Sequence, residues 1–362
     1  MAGRIRENVR RLAGDGRVAG VDLARGLAVI GMLAAHLLDI EAFSPGRPET
    51  WVDIVNGRSS ILFAVLAGVS IALSTGGPRP IEGATLSLAR RRLAVRAAAL
   101  WVIGILLIMT GVPIYVILPA YAILFLIAIP LLRLRAATLF VVAAALLMVM
   151  PFVQAALDLL PVWSTPEGES LALVIGWPYP FPLWSGFVVL GLALGRIDLG
   201  NAAVAGLLLA AGTGLALVAY GLGGMLAPPA GAPEPVDYLG VVTSLLPHSG
   251  GVFEVVGGAA FAAAVLGASI LLCRVSVLRA IVLPLRATGS MPLTAYTAQV
   301  LIWAGWALVV LGTTAPLTAF RELQPFWPIT VIVVAGCTVW AAFAGRGPLE
   351  TALAAIAHRG AR

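Results

Sequence analysis

Lysine is missing altogether: all 23 basic residues are arginine. Charge of either sign is scarce, at 11% of the 362 residues, where soluble domains carry about 25%. That scarcity excludes an ordinary soluble chain. Cysteine is nearly absent as well. Cys273 and Cys337 fall in or beside apolar stretches, which excludes a disulfide framework and gives no metal-ligand spacing. No HExxH and no Walker loop occurs, and Gly221-Leu222-Gly223-Gly224 is a glycine cluster at a helix end rather than a dinucleotide fingerprint. No metal site is expected. The first twenty residues hold no apolar core before a cleavage site, so no removable signal peptide is expected and the first hydrophobic helix does the targeting. The 40 glycines and 24 prolines follow no three-residue period, which removes collagen, and no internal repeat of the kind found in many transporters is visible.

Apolar length is abundant. Hydrophobic residues make up 60% of the chain, at a mean hydropathy of +1.01. A span needs about 20 apolar residues. Ten stretches qualify or nearly so: about 20–40, 57–75, 93–111, 114–132, 136–157, 183–195, 202–226, 251–272, 289–311 and 328–344. The expected fold class is therefore all-α, a polytopic integral membrane helical bundle of about ten transmembrane helices. Cytoplasmic loops are enriched in arginine. With the N-terminus inside, twenty arginines fall on the inner side and three (Arg47, Arg58, Arg321) on the outer. The expected orientation is N-in and C-in, in a bacterial inner membrane. The expected organisation is a cytoplasmic Arg-rich segment at 1–19, a transmembrane domain at 20–345 and a cytoplasmic tail at 346–362. Short arginine clusters between spans do not suit nucleic-acid binding. Trp51, Trp163, Trp177, Trp184 and Trp327 lie near expected outer ends, as interfacial anchors do.

Ionisable groups inside spans are costly and mark functional sites. The first span carries four: Asp22, Arg25, His36 and Asp39. Eleven helical steps of about 100° bring His36 to within about 20° of the face of Arg25, about 16 Å along the axis. Asp22 lies one turn before Arg25, and Asp39 one turn after His36 on the same stripe. Gly26 and Gly31 allow close approach of a neighbouring helix or ligand. Taken one at a time, Arg25 also suits a snorkelling anchor, and His36 an interior histidine bonded to a neighbouring helix.

The opening Val21-Asp22-Leu23-Ala24-Arg25-Gly26, with its Arg-x10-His spacing, resembles the transmembrane acyltransferase superfamily. The stretch from Gly57 to Ser70 is similar to that superfamily's second helix. Later segments are similar too: Tyr179-Pro180 through Gly195-Arg196, Pro247-His248-Ser249-Gly250, and Ser290 to Tyr296. The branch most resembled is that of the bacterial heparan-alpha-glucosaminide N-acetyltransferase-like proteins, while the Arg-x10-His pair is like that of the O-acyltransferase (acyltransferase-3) branch. Two departures from the N-acetyl branch follow. The loop from Glu41 to Asn56 holds no histidine, and His36 stands where that branch tends to have asparagine. The acceptor group, amine or hydroxyl, stays open.

The resemblance implies an acyl-CoA-dependent acyltransferase acting on a sugar or glycolipid at the extracytoplasmic face. His36 would be the general base, with Asp39 orienting its ring. Arg25, Arg90, Arg91, Arg92 and Arg96 would bind the phosphates of the donor, although the same arginines also serve as topology determinants. Asp22, Asn56, Arg58, His248, Glu254 and Tyr296 are candidate supporting or acceptor-side residues, and Tyr296 also suits a bond between helices. The partners implied are the lipid bilayer, acyl-CoA and the acceptor, with a homodimer open. A secondary transporter or flippase using His36, Asp39, Arg58 and Glu254 is the competing class.

Overall fold

In the computed structural model, residues 7–8, 17–44, 46–227 and 237–360 are described. Most of the Arg-rich segment 1–19 lies outside them. Among the described residues every regular element is helical. In chain order these are α1 (Ala19–Leu37), α2 (Arg58–Ser74), α3 (Gly83–Ile108), α4 (Leu118–Ala128), α5 (Ala136–Asp158), α6 (Pro166–Ile175), α7 (Phe181–Gly195) and α8 (Ala202–Leu226). They continue as α9 (Tyr238–Thr243), α10 (Val252–Leu272), α11 (Ser276–Ile281), α12 (Leu283–Ser290), α13 (Pro292–Leu311), α14 (Leu317–Glu322), α15 (Phe326–Phe343) and α16 (Pro348–Gly360).

Seven helical stretches are long and apolar enough to cross a membrane, and two shorter apolar ones, Leu118–Arg133 and Phe181–Gly195, lie between them. Each of the ten stretches read from the sequence falls on a helix. The differences lie at their ends. α3 begins at Gly83, ten residues before the expected span, because the Arg90–Arg96 segment is helical too. Hydropathy sees only the apolar half of such a helix, whereas arginine, leucine and alanine all favour the conformation. The stretch expected over 289–311 is broken. α12 ends at Ser290 and α13 starts at Pro292, where proline cannot donate to the preceding turn. The expected tail is in part the helix α16, which packs on α3.

α1 and α2 lie inside the bundle, with α7, α10 and α12 against them. α5, α8 and α15 bury only a minority of their residues. Small residues set the closest crossings. A Cβ added to Gly68 of α2 would sit 2.8 Å from the Leu192 nitrogen of α7, and one on Gly191 would meet the Gly68 Cα at 2.9 Å. Gly26 of α1 likewise faces the Leu285 backbone of α12. Such approaches let dispersion contacts between backbones hold helices together where hydrophobicity gives no drive.

Arg196, 3% exposed at the end of α7, closes one end of the bundle. It donates to the carbonyls of Ala72 (2.9 Å), Thr75 (3.0 Å), Gly77 (2.9 Å) and Leu132 (2.6 Å), and to the Thr75 hydroxyl (3.0 Å). A helix leaves its last carbonyls without intrahelical partners. One guanidinium here satisfies those of α2 and of the 3-10 turn after α4.

Gly191→Leu should destabilise the bundle by about 2 kcal/mol or more through overpacking, read as a lowered thermal midpoint in detergent. Gly206→Ala should not lower it, since a Cβ on Gly206 meets nothing within 4 Å.

Candidate active site

Asp22 organises the arginine-rich end. Its carboxylate, on a residue 3% exposed, accepts from Arg17 Nε and Nη2, both at 2.8 Å, and from Arg25 Nη1 at 2.9 Å. The second Arg25 nitrogen donates to Ser70 Oγ at 2.8 Å, and the Ser70 hydroxyl donates to the Leu66 carbonyl at 2.5 Å. One turn of helix separates Asp22 from Arg25, so helical geometry alone sets their contact. Ser70 comes from α2, which fixes the guanidinium between two helices.

Beside this cluster opens a cavity of about 250 Å³. Arg25, Ser70, Arg96 and Glu350 line it with polar groups, and Phe63, Leu100, Leu118, Tyr121, Phe125 and Tyr296 with aromatic and apolar ones. Phe63 and Tyr121 stack with centroids 5.6 Å apart. No hydrogen bond or ion pair holds Arg96 among the described residues, and its Nε is buried without a partner. The Tyr121 hydroxyl is buried without a partner as well. Tyr296 accepts from the Ile117 backbone N–H at 3.4 Å, which leaves its own proton free to donate. Glu350, on α16, caps α13 by accepting from the Leu293 and Thr294 backbone nitrogens at 2.8 and 3.1 Å.

Two more cavities adjoin the first. One of about 330 Å³ shares Arg25 and Ser70 and adds Arg17, Asp22 and Ser74. The other, of about 250 Å³, shares Arg96 and adds Ser74, Thr75 and Arg92. Of the four arginines expected on this helix, Arg92 and Arg96 therefore face the cavities. They lie four residues apart, on one side of α3. Arg90 and Arg91 line none of these cavities, and Arg91 is exposed. Arg92 donates to His358 Nδ1 at 2.9 Å.

The other two histidines, His36 and His248, lie apart from this cluster. His36 is half-buried near the end of α1, with Nδ1 2.5 Å from the Met32 carbonyl. A carbonyl only accepts, so Nδ1 carries hydrogen and the neutral ring keeps its lone pair on Nε2. The His36 carbonyl accepts from Arg321 Nε at 2.9 Å. Asp39 does not continue the stripe. α1 ends at Leu37, the chain turns extended at Leu38, and Asp39 is exposed without a hydrogen bond or ion pair to His36. The Met32 carbonyl occupies the place expected for that carboxylate.

Burial, and after it the His36 ring, pushes the His248 imidazole down to about 4. The His248 ring packs edge-on against Tyr179 at 5.8 Å. Glu254 accepts from the backbone N–H of His248 at 2.6 Å and of Gly250 at 2.8 Å, and from the Ser249 hydroxyl at 3.2 Å. That carboxylate coils the loop around itself at the start of α10, with His248 at φ +64°. Beyond the loop, a chamber of about 30 Å³ is lined by Gln154, Asp158, His248 and Glu254. Tyr121 and Tyr296 line the arginine-lined cavity and Tyr179 packs against His248, while His36 lines none of these four cavities.

The remaining candidates lie elsewhere. Asn56 donates to Asp53 Oδ1 at 3.4 Å in the turn before α2. Arg58 faces Tyr220 of α8. Trp184, expected at the interface, is 4% exposed. It packs against Tyr179 and Phe187 because α7 lies inside the bundle. Among the described residues no cluster of three or more His, Cys, Asp or Glu could hold a metal ion. Reading the sequence missed Tyr121, Ser70 and Glu350. Each is unremarkable in a helix until the packing turns it toward the cavity.

A family model described as heparan-alpha-glucosaminide N-acetyltransferase, catalytic, matches residues 17–219, more than half of the chain and the whole of the Asp22–Arg25–Ser70 cluster. The chain belongs to this family. A second model, described as a protein of unknown function (DUF418), matches residues 203–359. No curated protein and no solved structure matches the chain. Membership in the family makes this a membrane protein with an acyltransferase-like function. The 250 Å³ cavity takes Arg25, Arg96 and Tyr121 from the first matched region and Tyr296 and Glu350 from the second.

Asp22→Asn removes the carboxylate from beneath two guanidinium groups. It should cost about 3–5 kcal/mol, read as a lowered thermal midpoint, whereas Ser70→Ala should cost about 1 kcal/mol.

Proposed function

We propose that this protein transfers an acyl group, acetyl in the simplest case, from acyl-CoA to a hydroxyl or amine of a sugar or glycolipid. The donor enters at the arginine-rich end, facing the cytoplasm, and the acceptor meets it at the histidine end, facing outward across a bacterial inner membrane. The observation that carries this reading is the 250 Å³ cavity itself. Arg25 and Arg96, the latter with its Nε buried and unpartnered among the described residues, line it with charge, and Phe63, Tyr121, Phe125 and Tyr296 line it with aromatic rings. That combination of environments suits a ligand with a phosphorylated head and a thin, nearly neutral arm.

In this reading Arg25, Arg96 and Arg92 meet the phosphates of CoA. Asp22 keeps Arg25 extended between α1 and α2 and offsets part of the positive charge while the site is empty. The pantetheine arm runs past Phe63 and Phe125, and the thioester carbonyl reaches Tyr121 and Tyr296. Their O–H groups are aimed where negative charge develops on the carbonyl oxygen. Nε2 of His36 takes the proton of the acceptor as its oxygen or nitrogen attacks the thioester carbon. The tetrahedral intermediate then collapses, the C–S bond breaks, and the CoA thiolate takes the proton from His36. His248 and Glu254 shape the acceptor side: the carboxylate holds the loop, and the loop holds the second ring.

Transfer of label from radiolabelled acetyl-CoA by the purified protein tests this reading. His36→Ala should slow transfer by at least about 100-fold while acetyl-CoA affinity stays within about twofold of wild type. Arg96→Gln should instead weaken acetyl-CoA binding about tenfold, the effect of one charge-assisted contact. Full transfer by His36→Ala, or no acetyl-CoA binding by the wild type, would overturn it.

A further inference from the structure

The side of the bundle carries another concavity that plays no part in the acyl-transfer reading. α8 and α10 cross at contact distance: a Cβ on Gly212 would sit 2.7 Å from the Ala260 carbonyl oxygen, and one on Gly267 2.6 Å from the Leu209 nitrogen. Along this crossing the small side chains of Ala216, Ala264 and Ala268 leave a groove of about 520 Å³, flanked by the larger Leu217 and Phe261. Its lining on α8 runs from Leu209 to Tyr220, about 16 Å at 1.5 Å per residue. Leu217 is 69% exposed on the same face, so the groove opens sideways, where lipid tails lie in a membrane.

An apolar trough alone would be filled by any hydrocarbon. The charge at its end is the distinguishing feature. Arg58 lines the groove beside Tyr220, with its guanidinium carbon 4.6 Å from the centre of that ring. Its Nε donates to the Tyr220 hydroxyl at 3.0 Å and its Nη1 to the Asp53 carbonyl at 3.2 Å. Among the described residues no salt bridge includes Arg58. The acidic groups nearby are engaged. The Asp53 carboxylate accepts from the Phe43 backbone and from Asn56, and Glu254 is bound by its own loop. Phe43 and Ile54, both at least half exposed, complete the rim at this end. A cation held without a paired anion at the head of an apolar trough complements a molecule with one negative group and a hydrocarbon tail.

We propose that this groove is a binding site for one anionic phospholipid, its phosphate on Arg58 and an acyl chain laid between α8 and α10. The site does not depend on acyl transfer. The Tyr220 ring fixes the guanidinium and leaves Nη2 for the phosphate, and the closely crossed helices hold the chain.

Native mass spectrometry of the full chain in mixed micelles with either phosphatidylglycerol or phosphatidylcholine tests the site. The wild type should retain one phosphatidylglycerol in preference to phosphatidylcholine by about fivefold, the worth of a single arginine near a membrane surface. Arg58→Gln should abolish that preference, and Arg58→Lys should keep part of it. Thr213→Phe and, separately, Ala268→Phe, which fill the groove, should release the bound lipid while Arg58 remains. Equal retention of the two lipids by the wild type would overturn the proposal. So would a preference that survives Arg58→Gln or retention that survives both filled variants.

Discussion

A buried carboxylate between two guanidinium groups is the constraint on which the rest of this protein depends. A charge inside a membrane bundle is retained only when it is paired or reaches water, and Asp22 pairs with two. Because Arg25 continues to Ser70, the same pairing sets the distance between α1 and α2. The close glycine crossings then bring α7 and α12 against those helices. The guanidinium and the hydroxyl that join this central pair stand at the cavity wall.

The bundle was largely legible from apolar runs alone, since a bilayer demands length and hydrophobicity and little else. Where the sequence misled, a local signal competed with a non-local one. The start of α3 was hidden by its arginines, whose polarity masks a good helix. The break before Pro292 was masked by apolar residues on both sides of it. α16 looked like a tail because its contact with α3 is made across the fold.

The candidate site was legible in part. Asp22 and Arg25 could be paired from helical spacing, and Gly26 from its small size. Asp39 could not be placed correctly, because nothing in the apolar pattern announces that α1 ends at Leu37. Tyr121, Ser70 and Glu350 left no signal, since a tyrosine or serine in an apolar helix reads as ordinary packing. Arg90 and Arg91 look equivalent to Arg92 and Arg96 in the linear chain. Only the turn of the helix separates the pair that lines the cavities from the pair that does not.

The seam between the two matched family regions falls within α8, yet the arginine-lined cavity draws on both sides of it. Neither portion encloses that space alone. The stretch matched by the model of unknown function supplies a tyrosine hydroxyl to the inner wall and an acid that pins the neighbouring helix, so it is a structural co-owner of the chamber rather than an appendage. Chain breaks or domain exchanges made at the seam would divide one compartment between two polypeptides.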